Sequence, residues 1–327
     1  MRDQNSNIAG DITLRFFLAL TCLWLAILVA MPFTKVSLAF GDFHLAIMLN
    51  VCIAIVGYLL GRFGLKTLRD FAVLITGLQL IALPMLTANY MSMSFNMPLA
   101  DEALMRWDAA IGFDWIAFIK FIDARPWLAG ALGEAYGSFL PQLAIAPALL
   151  LLFGYSRRAH AFMISFGTLT LFAAVIAIWF PAYGTYTVYG VPNGSLQNIN
   201  SHFGYQFIDH FEAVRSSSSY QVSAGTMSGI LTFPSVHAGV AYLLIWATWP
   251  LKWFRYPFLV LNIAMAIAAV SHANHYLVDI LASIPLAIVT VVFIRWAFAM
   301  NKKTQDVPAV SGELSGTEEL ATPSVAT

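Results

Sequence analysis

Long apolar stretches dominate this chain, and a run of about 20 such residues has one stable home, a helix across a bilayer. Eight spans are expected, at 13–31, 43–60, 70–91, 131–153, 160–180, 235–250, 256–272 and 276–299. The 327 residues are 59% hydrophobic and 10% charged, a balance outside that of soluble domains. The first run follows Arg15 and lacks a small-x-small cleavage site, so it reads as a retained span. Pro84, Pro141, Pro147 and Pro285 interrupt spans. The fold class is therefore all-α, a polytopic helical bundle in a lipid bilayer. Zero net charge gives no footing for nucleic acid. Cys22 and Cys52 both lie in apolar runs, where neither a disulfide framework nor a cysteine zinc site can be built.

Basic residues fix an expected orientation. They cluster at Arg62, Lys66 and Arg69, at Arg157 and Arg158, at Lys252 and Arg255, and at Lys302 and Lys303. Eight spans put all four clusters on one side, the cytoplasmic side of a cell membrane, together with both termini. Segments 92–130 and 181–234 then lie outside. The chain divides into a three-span region 1–91, a membrane domain 92–300 and a polar tail 301–327 expected to be disordered. Between Leu99 and Arg125, Leu104, Trp107, Ile111, Trp115, Phe118 and Ile122 recur at helical steps, with acids interleaved. This is an amphipathic helix broken at Gly112. It lies in the outer interface, packs on the protein's own outer loop, or both.

Candidate chemistry gathers at the outer ends of the last three spans. Ser235 and His237 open the sixth. His272, His275 and Asp279, in "SHANHYLVD", form the turn between the seventh and eighth. His275 and Asp279 are four apart and able to bond, and a carboxylate on one imidazole nitrogen leaves the other free as base, ligand or nucleophile. Ionisable groups at membrane depth usually serve function. Two histidines with one orienting acid fit phosphoryl transfer, and the helix start at Ser235 offers N–H groups to an anion. The same four residues, His237, His272, His275 and Asp279, could instead ligate Zn²⁺. A third reading is a lipid or solute carrier with pH-sensing histidines, although no inverted repeat is evident.

"FPSVHA" followed by "HYLVD" resembles the second and third signature motifs of the type 2 phosphatidic acid phosphatase superfamily. "GFDW", "AYGSFLPQ" and "FPAYGTY" are closer to its inositol-phosphorylceramide-synthase-like branch. The resemblance spans about Leu99 to Arg295. It implies a six-helix core whose last five members are spans four to eight. His275 would be the nucleophile, Asp279 its orienter and His237 the general acid and later base. Ser235 would contact phosphate, and neither metal nor cofactor is implied. The substrate would be a phospholipid, a sphingolipid or a polyprenyl phosphate, with water or an alcohol as acceptor.

The chain departs from the superfamily pattern in two places. "KFIDARP" spaces its lysine one residue short of the usual first motif, and Ala268 and Ala269 stand where a Ser-Arg pair is usual. Among outer cations Arg215, Arg125, Arg106 and Lys120, Arg215 is the candidate phosphate partner. His272 and Tyr186 are candidate substrate contacts. Glu134, Tyr136 and Gln142 line the pocket or bond neighbouring helices. His202 and His210 read as surface residues, and Asn193-Gly194-Ser195 matches a glycosylation acceptor.

Overall fold

A computed structural model describes residues 2–225 and 227–297. The helices are α1 (Arg2–Ala30), α2 (His44–Arg62), α3 (Lys66–Ser94), α4 (Asp101–Ala110), α5 (Trp115–Asp123), α6 (Pro126–Gly137) and α7 (Phe139–Leu152). They continue as α8 (Ser156–Ala177), α9 (Thr185–Val188), α10 (His202–Tyr205), α11 (Ile208–Ser216), α12 (Val236–Thr248), α13 (Arg255–His272) and α14 (Leu277–Ala297). The tail 301–327 lies outside the described residues.

Among the described residues, six segments are long and apolar enough to cross a bilayer: Leu14–Phe33, Phe40–Arg62, Lys66–Ser94, Ser156–Ala177, Arg255–His272 and Leu277–Ala297. The two remaining expected spans differ from simple rods. The fourth is the pair α6–α7, bent by 58°. The break has a local cause. Pro141 has no N–H for the Gly137 carbonyl and crowds it, and Gly137 itself holds a helix weakly. Ser138 Oγ donates back to Ala135 O at 2.6 Å, and the next helix starts with Gln142 N to Ser138 O at 2.9 Å. Pro84 does not break α3, because the Leu80 carbonyl it frees accepts the Trp24 indole N–H at 2.9 Å.

The sixth expected span is α12, with 13 residues. Such a helix reaches only about 20 Å, short of a hydrocarbon core about 30 Å thick. Its open end is closed from inside the protein. Arg158 Nε donates to Ala247 O at 2.8 Å, its Nη2 donates to Trp246 O, and its guanidinium lies 4.7 Å from the Trp246 ring centre. Arg158 is therefore a buried cap at a helix C-terminus, where a cation is favourable.

The bundle centres on α8, 72% of whose apolar window is buried. It packs against α3, α7, α12 and α14. Of the three N-terminal spans, α3 joins this core, while α2 leans on α3 and is 11% buried. The amphipathic segment folds as α4 and α5, joined through Gly112 at φ +78°. It packs on the protein: Leu104, Trp115, Ile119 and Ile122 are buried, and Trp115 Nε1 donates to Val270 O at 3.2 Å. Trp107 and Ile111 remain exposed.

A two-stranded parallel sheet joins β1 (Val36–Leu38) to β2 (Tyr220–Val222), with Val36 opposite Tyr220 and Leu38 opposite Val222. It ties the loop after α1 to the long loop 181–234, so both sit at one end of the bundle. Strands of three residues are too short to show a period in sequence.

Candidate active site

Ser235 caps α12 with extended backbone (φ −69°, ψ 115°), and its Oγ accepts from Ala238 N. That turn places His237 in the first turn of α12. On the facing side, Asn274 turns the chain between α13 and α14 through the left-handed region at φ +69°, which asparagine tolerates better than most residues. The turn delivers His275 two residues before α14 begins.

The two elements meet at one ring. His275 Nδ1 donates to Asp279 Oδ2 at 3.0 Å, and Ser235 Oγ lies 3.2 Å from His275 Nε2. With Nδ1 protonated toward the carboxylate, Nε2 keeps its lone pair and accepts the Ser235 hydroxyl. Asp279 Oδ2 also accepts Tyr276 N at 2.9 Å. Ser283 Oγ lies 2.8 Å from Ser235 O and 2.7 Å from Asp279 O, bracing the two segments. Burial pushes the His275 imidazole down to about 4, against an upward pull from the Thr232 backbone. His237 is close enough to interact electrostatically with His275. Its ring stacks on Tyr136, centres 4.6 Å apart, and lies 4.1 Å from Phe139. These two aromatics flank the α6–α7 break.

Two acids interleaved in the amphipathic segment hold the site in place. Asp108 of α4 accepts Leu277 N at 2.9 Å and Val278 N at 2.8 Å, capping the helix that carries Asp279. Burial raises the Asp108 pKa, and the two N–H bonds oppose that rise. Asp101 accepts Tyr183 N at 3.0 Å, Gly184 N at 2.9 Å and the Tyr276 hydroxyl at 2.8 Å. Both acids act across about eighty residues or more of sequence, which no local capping pattern encodes. Asp108→Ala should cost about 2 kcal/mol by leaving two helix N–H groups unpaired, while Asp108→Asn should keep part of that. Thermal unfolding in detergent micelles, with activity followed in parallel, measures both.

The remaining candidates have the following partners. His272 is buried, its Nδ1 2.9 Å from Ser271 Oγ. A Cβ on Gly133 would stand 3.4 Å from its Nε2, so the ring is packed on α6. Tyr186 is fully buried, its hydroxyl donating to Ser271 O and its ring edge-on to Trp115. Arg215 donates from Nη2 to Met97 O at 2.9 Å and lies over the Phe211 ring. Arg125 and Arg106 are engaged with Phe121 O and Glu102, and Lys120 is exposed. Gln142 bonds Ser138 and Asn262 between α7 and α13, and Glu134 is exposed. His202 is exposed, whereas His210 is half-buried, 3.1 Å from the Tyr220 hydroxyl. Among the described residues, no group of three or more His, Cys, Asp and Glu side chains is arranged to hold a metal.

An all-α membrane bundle that joins an acid-oriented histidine to the N-terminus of a neighbouring helix has the marks of a functional site within a membrane protein. The chain belongs to the PAP2 superfamily, whose family profile matches residues 102–293. That assignment supports a membrane phosphatase in the broad sense, with a lipid-type substrate. No curated protein and no solved structure matches the chain.

Proposed function

We propose that the protein moves a phosphoryl or phospho-headgroup from a lipid through a covalent phosphohistidine at His275. The observation that carries this reading is the His275 ring, held by Asp279 on one nitrogen and open to Ser235 on the other. In the first half-reaction, Nε2 attacks phosphorus. The P–N bond forms, the P–O bond to the leaving group breaks, and His237 gives its proton to the departing oxygen. In the second, water or an alcohol attacks. Its proton goes to His237, the new O–P bond forms and the P–N bond breaks. The Ser235 hydroxyl turns from Nε2 to a phosphate oxygen when substrate binds.

Headgroup transfer to an alcohol is the favoured variant, and the likeness to the inositol-phosphorylceramide-synthase-like branch supports it. Positive character at the cluster comes from the N-terminal end of α12, joined by His237 only when it carries the proton it donates. That suits a singly charged phosphodiester better than a monoester, which carries close to two charges. Arg215 lies within electrostatic range of Asp101 and Tyr183, so it balances Asp101 in this scheme, with Tyr186 and His272 as supports of the site loop. The basic clusters support an exocytoplasmic site with cytoplasmic termini.

Brief reaction of the purified protein with radiophosphate-labelled phosphatidylinositol, and in parallel with labelled phosphatidic acid, should trap acid-labile label on His275 from at least the first, insensitive to chelator. Label on another side chain, or label lost with chelator, would refute the scheme. A lipidomic comparison of cells with and without the protein names the lipid.

A further inference from the structure

The ring against His237 is itself covered. Tyr136, which stacks on His237, meets Phe203 with ring centres 5.4 Å apart. Phe203 belongs to α10, in the long loop 181–234 rather than in a span. It is 44% exposed, whereas Tyr136 is 8% exposed. A partly exposed aromatic ring therefore packs on the tyrosine that stacks on His237, and His237 itself is only partly buried.

The position of α10 is fixed by the site's own turn. Asn274 Nδ2 donates to Gly204 O at 3.0 Å, one residue from Phe203 and one residue from His275. Gly204 lies flat on the Tyr186 ring, where a Cβ would come within 2.6 Å of a ring carbon. Before α10, Ser201 is buried and its Oγ donates to Asn193 Oδ1 at 3.0 Å. The segment that presents Phe203 is therefore held on both sides.

We propose that Phe203 is the water-side cover of the reaction centre, a positioning residue that sets how often the phosphoenzyme meets an alcohol rather than water. This rests on the phosphohistidine reading above. Water at 55 M outcompetes a dilute alcohol wherever it reaches phosphorus freely, so a transferase must restrict it. Phe203 does so without touching substrate, by closing the stack Tyr136–His237 from the loop side.

The test compares wild type, Phe203→Ala and Phe203→Trp as full-length protein in detergent micelles. Diethyl pyrocarbonate modifies accessible neutral imidazoles, and peptide mass spectrometry gives the rate at His237, with buried His160 as internal reference. Phe203→Ala should label His237 about fivefold faster and Phe203→Trp no faster than wild type, as expected if the ring excludes solvent. With phosphatidylinositol as donor and glycerol as acceptor, the ratio of glycerophosphoinositol to inositol phosphate should fall about fivefold in Phe203→Ala and recover in Phe203→Trp. An unchanged His237 labelling rate, or an unchanged ratio, overturns the proposal. Absence of any lipid cleavage by wild type would defeat the phosphohistidine reading instead, and the labelling rates would still judge the cover.

Discussion

Replacing His275 with alanine is expected to lower phosphate or headgroup release by about four decades and to abolish covalent labelling. His237→Ala is expected to lose about two to four decades, the usual range for a missing general acid–base. The two losses differ in kind. Without the His275 nitrogen no P–N bond forms. Without His237 the nucleophile remains, so a good leaving group that needs no proton should restore a burst of phosphoenzyme that then turns over slowly. Asp279→Asn should fall between them, at about two decades or more, because an amide can donate to Nδ1 and so reverse the tautomer. Ser235→Ala removes one hydroxyl donor and should cost about tenfold. The double variant His237→Ala/His275→Ala should be little worse than His275→Ala alone, since both serve one pathway. Release assays with matched folding checks by size exclusion measure the series. Activity retained in both single histidine variants would end the assignment.

The histidine cluster was legible because its parts obey local rules. A four-residue step joins His275 to Asp279, and span topology brings His237 to the same end of the bundle. The spans were legible for the same reason: apolar length is a one-dimensional signal. What remained hidden depends on partners far away in the chain. Asp101 and Asp108 looked like the polar side of an amphipathic helix, yet each satisfies backbone N–H groups in another segment. Arg158 looked like one more inside charge, yet it closes the short helix α12. Pro84 and Pro141 read alike in sequence. One is rescued by Trp24 from a neighbouring helix, and the other follows Gly137 and gives a 58° bend. Tyr186 and His272 carried polar atoms near the right motif. Whether such atoms face substrate or a carbonyl is a packing outcome, and here both are engaged within the protein.

The largest stability effect is expected at Asn274, which contacts no reacting atom in the proposed mechanism. Its Nδ2 donates to Tyr183 O at 2.7 Å and Gly204 O at 3.0 Å, and its Oδ1 accepts Tyr186 N and the Thr185 hydroxyl. Its backbone carbonyl accepts Thr185 N at 3.2 Å. One side chain thus joins the site turn to α9 and α10. Alanine would strand two carbonyls and an amide in a buried place and would also pay for the left-handed backbone, about 4 kcal/mol in total. Glycine relieves the backbone and should recover about 1 kcal/mol of that. Aspartate keeps the acceptor but sets a carboxylate against two carbonyls, so it should be no better than alanine. Gly184 is the other half of the joint: at φ +87°, a Cβ there would lie 2.3 Å from the Asn274 carbonyl oxygen. Gly184→Ala should therefore destabilise by a similar amount, and the double variant with Asn274→Ala should cost clearly less than the sum, because each change already opens the same contact. Thermal unfolding of the four proteins in micelles gives the coupling. Strict additivity would show that the two residues support the site independently and that the turn carrying His275 is held by something else.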